Sequence, residues 1–396
     1  MTASASPTPL IAIACGGTGG HLFPGLAVAG ELQKRRCRVA LLVSPREIDR
    51  RVVTSAPDFE IFTLPAVGLQ NRNYFSFSAG FLKSFFAARK IFRHWKPDAI
   101  LAMGGFTAAP PVLAAKRFGA KTFLHESNAV PGRANRFLAH FVDEAFVGFS
   151  QAASRLAARN VSVTGTPVRP AFTKPALGPS SSALRLGLEP DRPVILVTGG
   201  SQGASGLNDL VLSALPLLAS RNWQWLHLTG ANDFEKVQAA YAGQKLKAVV
   251  KPFLDEMEAA LGAATAAVSR AGASSLAELA AMRLPALLVP FPAAAENHQF
   301  FNALAFEKTG AAQLLEQTHA SPEKVAALLT RLVEDPAERA RMQSALASWH
   351  EPRAAERIAE KILRAVEQKA GGRAPLPASP ETEANPAIHS HRALPV

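Results

Sequence analysis

The chain of 396 residues holds only two cysteines, Cys15 and Cys37, too few for a disulfide framework and at no metal-site spacing. A reducing compartment is therefore the default. No lysine or arginine precedes the first apolar run, residues 10–15, so that run lacks the basic start of a signal peptide and reads instead as a buried first strand. The uncharged stretch 99–115 is interrupted by Gly104-Gly105 and Pro110-Pro111, which argues against a membrane-spanning helix. Zinc-finger spacing and the aromatic signature of an RNA-binding sheet are both missing. So is an Asp-x-Asp near a strand end, the usual holder of a divalent metal on a sugar nucleotide.

What is present is a large apolar content, 48%, with 19% charged residues, enough for a sizeable core. The length exceeds what one core usually serves, so two domains are expected. The net charge of +12 favours anionic partners: nucleic acid, acidic lipid headgroups or phosphorylated substrates. The basic residues are dispersed rather than clustered, which speaks against nucleic acid.

Short apolar runs alternate with longer amphipathic stretches. Strands are predicted at 11–14, 39–43, 61–64, 99–103, 122–124, 144–147 and 161–164, then at 194–198, 225–229, 248–250, 266–269 and 286–289. The runs are continuous, as in parallel strands covered on both faces, so the class is α/β with doubly wound sheets. Residues 167–193 carry six prolines and Ser180-Ser181-Ser182 and read as a linker. After it, residues 194–203 repeat the strand–glycine-loop design of 11–20. Two Rossmann-like halves with a cleft between them follow. A basic helix spans 353–369, and 370–396 reads as a disordered tail.

The loop Gly16-Gly17-Thr18-Gly19-Gly20-His21 fits neither the spaced dinucleotide fingerprint nor the Lys-Ser/Thr ending of a P-loop. It is either a phosphate cradle at a helix N-terminus or a tight strand–helix turn. His21 is a candidate base or phosphate donor, or a helix-terminal histidine satisfied by backbone. Ser201, in Gly199-Gly200-Ser201-Gln202-Gly203, would meet a diphosphate or cap a helix. Glu278, in the helix expected to start near Ser274, would accept both hydroxyls of a ribose or simply favour the helix dipole. His125-Glu126, after the 122–124 strand, read as an acid/base or metal pair. In the segment 74–95, Phe81/Phe85 and Leu82/Phe86 share a helix face beside Lys83, Arg89, Lys90 and Arg93. That pattern suits an interfacial membrane helix or a core helix with a basic outer face.

Together these segments resemble the MurG family, the N-acetylglucosaminyltransferases that make lipid II from lipid I. The resemblance rests on GGTGGHLFPG at 16–25, Met103-Gly104-Gly105, HESN at 125–128, GTPVR at 165–169, GGSQGA at 199–204, SRAGASSLAE at 269–278 and the stretch 285–303. It implies a GT-B fold and an inverting transfer with no cofactor or obligatory metal. UDP-GlcNAc would be the donor and undecaprenyl-pyrophosphoryl-MurNAc-pentapeptide (lipid I) the acceptor. It implies residues 8–169 as the acceptor and membrane-side domain, with helix 353–369 packing back on it, and 170–350 as the donor domain. In that picture Glu278 holds the ribose within the nucleotide turn Ala273, Ser274, Ser275, Leu276 and Ala277. Ser201 and Arg169 lie near the diphosphate, Leu254 touches uracil through its backbone, and Gln299 reads the sugar. Thr18, Gly19, Gly20 and Asn128 reach the donor sugar from the other half. His21 is the expected general base and Glu126 the second candidate. Phe81, Leu82, Phe85, Phe86 and Arg89 would face anionic lipids on the cytoplasmic side of the inner membrane, with cell-wall and division proteins as further partners and no nucleic acid. Three positions depart from the family pattern: Ser127 and Phe106 stand where Gln and Tyr are frequent, and His298 where some members carry Gln. A glycosyltransferase of the same build acting on another lipid, a UDP-sugar epimerase and a nucleic-acid-binding protein are the rival readings.

Overall fold

The computed structural model describes residues 8–45, 59–65, 74–173, 178–200 and 203–371. Among these residues two parallel sheets form. The first has seven strands: β1 (Leu10–Ala14), β2 (Arg38–Val43), β3 (Glu60–Thr63), β4 (Ala99–Ala102), β5 (Lys121–Glu126), β6 (Glu144–Val147) and β7 (Val161–Val163). Their order is β3-β2-β1-β4-β5-β6-β7. The second has six: β8 (Val194–Thr198), β9 (Gln224–Leu228), β10 (Ala248–Lys251), β11 (Ala266–Ser269), β12 (Ala286–Leu288) and β13 (Gln313–Leu314), in the order β10-β9-β8-β11-β12-β13. This is the GT-B architecture of two doubly wound halves. Every predicted strand is present. The one missed, Gln313–Leu314, is a two-residue edge strand too short to show a pattern.

The continuous apolar runs are explained by what covers each face. Ile11 pairs with Val39 on one side and Ala99 on the other, all three facing one layer. Ala12, Ala40 and Ile100, one residue on, face the opposite layer. The first layer is closed by helices Gly19–Lys34 and Ala354–Gly371, and the second by helices Tyr74–Trp95 and Ala109–Arg117. Strands buried on both sides cannot show the polar alternation of a one-sided sheet.

Helix Ala354–Gly371 crosses back from the second half onto the first, where Ile358, Ala359 and Ile362 are fully buried. Lys361 pairs with Glu144 at 2.8 Å and Arg35 with Glu356 at 3.4 Å. The helix runs two residues into the stretch read as tail, since Ala370 is a good helix former. Residues 372–396 lie outside the described ones.

The proline-rich stretch 167–193 is more ordered than a linker. It forms the turn Pro170–Phe172 and the helix Pro179–Arg185, with Pro179 in the first turn, where its missing N–H is not needed. Phe172, Ala183, Leu186 and Leu188 enter the core of the second half.

Ile358→Ala removes a buried side chain from the layer between helix and sheet. It is expected to cost about 2–5 kcal/mol, read as a lower urea midpoint for unfolding of the first half.

Candidate active site

In a parallel sheet all carboxyl ends lie on one edge, and loops from that edge carry ligands in open α/β folds. Here the two edges face each other across a cleft of about 980 Å³, within the range of small-molecule sites. Its walls include Gly19, His21 and Asn128 from the first half and Gly203, Leu254 and Glu278 from the second.

The first glycine loop leads from β1 into helix Gly19–Lys34, with Thr18 at the extended N-cap position. His21 sits in the first turn, and Thr18 Oγ1 lies 3.4 Å from its Nδ1. Gly104 and Gly105, both at positive φ, form the bed of this ring. A Cβ on Gly104 would stand 3.1 Å from His21 Nε2, and one on Gly105 3.2 Å from Cε1. The paired glycines after β4 are thus a space requirement of the histidine.

Pro24 lies inside the same helix and has no N–H for the carbonyl of Gly20. Ser274 Oγ, from the other half, donates to that carbonyl at 2.9 Å. The helix gap created by a proline becomes a contact across the cleft.

His125 and Glu126 belong to the end of β5 itself and are buried. His125 Nε2 is 3.0 Å from the Gly165 carbonyl, which fixes the proton there, and Nδ1 accepts from Ser127 Oγ at 3.2 Å. Burial pushes the ring down to about 4, so it is neutral. Ser127, a departure from the family pattern, thus completes a local pair. Glu126 Oε1 accepts from Asn128 N (2.8 Å) and Nδ2 (2.9 Å), and Oε2 from Gly132 N (3.1 Å) and Asn135 Nδ2 (2.7 Å). Burial raises this carboxyl, but every partner is a donor, and the arrangement holds the carboxylate. With its four acceptor sites filled, Glu126 shapes the loop 127–135. His125 and Glu126, the expected acid/base or metal pair, are thus each engaged with neighbouring loop groups.

On the second half, helix Ala273–Met282 points its N-terminus at the cleft and favours an anion there. Ala273, Ser274, Ser275 and Glu278 form part of the wall. Leu276 instead turns into the core, and Ala277 is off the wall. Both stay in the same first turns of the helix as Ser275 and Glu278. Ser201 lies outside the described residues. The loop around it ends at Gly203 and Ala204, before helix Ser205–Leu218.

Arg169 does not stand alone at a diphosphate position. Its guanidinium lies between Phe23 of the first half (4.6 Å to the ring centroid) and Phe172 (4.9 Å), and pairs with Glu278 at 3.5 Å. Burial nevertheless pushes Glu278 up to about 7, with Arg169 pulling the other way. Leu254 is buried on the wall beside Pro252 and Phe253. Gln299 Oε1 accepts from Phe291 N at 3.0 Å, fixing its amide with the N–H side outward.

The sequence reading missed Arg270. This buried side chain donates to the carbonyls of Val289 (3.0 Å) and Pro290 (3.1 Å) and to Gln317 Oε1 (2.7 Å). Among the described residues no carboxylate pairs with it, and burial lowers it to about 10. A buried cation on a cleft wall, with no counter-charge, favours an anionic ligand. Its only sequence signal is an arginine directly after β11. Also missed were Asn135, whose buried Oδ1 has no partner among the described residues, and Glu296, which reaches Arg133 (3.2 Å) and Arg136 (2.5 Å) across the mouth of the cleft.

Known proteins share this build. The glycosyltransferase family 28 N-terminal domain matches residues 11–147, and its C-terminal domain 194–358. The chain therefore belongs to glycosyltransferase family 28. Within that class it is similar to the UDP-N-acetylglucosamine–N-acetylmuramyl-(pentapeptide) pyrophosphoryl-undecaprenol N-acetylglucosamine transferase of Anaeromyxobacter sp. (strain Fw109-5), 37% identical over 91% of this chain and 94% of the relative. The enzyme of that name from Exiguobacterium sibiricum is 31% identical, over 91% and 99%. Among solved structures, Acinetobacter baumannii MurG aligns with a TM-score of 0.71 and 28% identity, covering 90% of this chain and 100% of its own. With these likenesses the chain falls among the MurG-type members of the family. The glycosyltransferase of kitacinnamycin, at 17% identity and a TM-score of 0.70, shares the fold.

The Glu278 shift has a consequence for stability. A carboxyl raised from 4.5 to about 7 adds stability below pH 4.5, where both states are protonated, and loses it as pH rises through 7. The ligand-free protein is expected to lose about 1–3 kcal/mol over that window, and Glu278→Gln to flatten it in urea titrations at stepped pH.

Proposed function

We propose that this protein transfers N-acetylglucosamine from UDP-GlcNAc to lipid I, forming lipid II in peptidoglycan synthesis with inversion at the sugar. The observation that carries the reading is the pairing across one cleft of His21, on its glycine bed, with a helix N-terminus and Arg270, a buried cation with no carboxylate partner among the described residues. The acceptor hydroxyl attacks the anomeric carbon, its proton passes to His21, and the bond from that carbon to the diphosphate oxygen breaks. The leaving UDP carries the charge. The N-terminus of helix Ala273–Met282, Gly203 and Ala204 before helix Ser205–Leu218, and Arg270 are the groups we assign to it, since all of them line the cleft. Glu278 as carboxylate accepts the ribose hydroxyls. Ser201 belongs to this diphosphate loop, and Gln299 offers its N–H side to the sugar, which Thr18, Gly19, Gly20 and Asn128 reach from the opposite wall.

The acceptor's lipid tail requires a membrane surface. Among the described residues no helix is long and apolar enough to cross a membrane. Helix Tyr74–Trp95 is the proposed contact, with one revision. Phe81 and Phe85 pack on the core of the first half, whereas Leu82 (54% exposed) and Phe86 (56%) point outward beside Lys83 and Lys90. Arg89 is half-buried. Phe106, at the cleft rim, packs edge-on against Phe77 of this helix at 5.3 Å, so the apolar surface continues to the cleft. The protein would sit on the cytoplasmic face of the inner membrane on anionic lipids, among the proteins of cell-wall growth, cell shape and division.

His21→Ala is expected to lower turnover by about 10²–10⁴ while UDP-GlcNAc affinity by calorimetry stays near wild type; unchanged turnover removes His21 from the mechanism. Leu82→Asp with Phe86→Asp is expected to weaken flotation with anionic vesicles several-fold at unchanged melting temperature. Equal flotation would end the membrane assignment of this helix.

A further inference from the structure

Asn302, in helix His298–Lys308 of the second half, is fully buried. Its Oδ1 accepts from Ala129 N at 2.8 Å. Its Nδ2 donates to Asn128 Oδ1 at 3.0 Å and to the Ala271 carbonyl at 3.1 Å. Ala129 belongs to the loop after β5 in the first half, and Ala271 to the turn that opens helix Ala273–Met282 in the second. One side chain therefore bonds both walls of the cleft.

The polarity of this link is not free. A main-chain N–H can only donate and a main-chain carbonyl only accept, so Ala129 and Ala271 orient the Asn302 amide from both ends. That orientation presents an N–H to Asn128, which must answer with Oδ1. Asn128 Nδ2 then faces Glu126 Oε1, at 2.9 Å, and the saturated carboxylate takes it. The chain from Ala271 through Asn302 and Asn128 to Glu126 is consistent in every donor and acceptor. No other arrangement of the two amides satisfies all of it.

We propose that Asn302 is a positioning residue for sugar transfer: it locks the loop bearing Asn128 onto the nucleotide turn and sets which way the Asn128 amide faces. This rests on the functional reading above, in which Asn128 reaches the donor sugar. Asn302 itself acts through Asn128 and need not touch substrate.

Asn302→Asp keeps an acceptor for Ala129 N–H but loses both donors. In the full-length protein it is expected to lower kcat by roughly tenfold or more, with UDP affinity by calorimetry within about threefold of wild type. A double-mutant cycle separates positioning from general damage. In an Asn128→Ala background the same substitution should lower kcat by less than about threefold. Equal losses in both backgrounds, no loss at all, or UDP affinity falling in step with kcat overturns the proposal. Asn302→Ala, which buries no charge, carries the same cycle if the Asp variant does not fold. Failure of the functional reading shows separately, as wild-type protein giving no heat with UDP-GlcNAc.

Discussion

Parallel pairing is the constraint behind everything else in this molecule. Once all strands in a sheet run the same way, the carboxyl ends, the loops that follow them and the N-termini of the next helices share one edge. Two such sheets turned edge to edge bring unpaired N–H groups and helix dipoles into a common space. The same pairing buries each strand on both faces, which is why β1 reads as an unbroken apolar run. Side chains then need only fix the distance and orientation of the two edges and supply one proton acceptor.

Besides the Ser274 bond to Gly20, three links among the described residues do that fixing, and each uses a different kind of force. Asn302 uses buried hydrogen bonds to main chain on both sides. Arg169 uses ring stacking against Phe23 while holding Glu278. Glu296 uses ion pairs with Arg133 and Arg136 at the rim, where solvent and salt weaken them. The buried link is directional and the rim is not, so register between the walls is set inside the cleft.

The fold was legible because buried parallel strands announce themselves by composition, and the glycine loops by their place after them. His21 and Glu278 were legible as residue types at such places. Other features needed three dimensions. Glu126 stood out as a carboxylate at a strand end; its four donors, and with them its part in organising a loop, appear only in three dimensions. Arg270 and Asn302 lie in stretches whose pattern says helix or turn, and nothing local tells that Arg270 reaches the Val289 and Pro290 carbonyls or that Asn302 reaches across the cleft. The prolines of 167–193 misled because proline both breaks helices and starts them. On helix Tyr74–Trp95 both i,i+4 pairs share the apolar arc, and sequence spacing alone could not tell the inward pair from the outward one.

Pro24 shows how far a backbone substitution can reach. With an ordinary residue there, the helix would have its own N–H to offer Gly20, and Ser274 would have a competitor for the carbonyl. The coupling between the walls would then change although no side chain facing the cleft had been altered. A position that resembles an internal helix fault thus bears on how two lobes recognise each other, and sequence variation there belongs with the interdomain contacts rather than with helix stability.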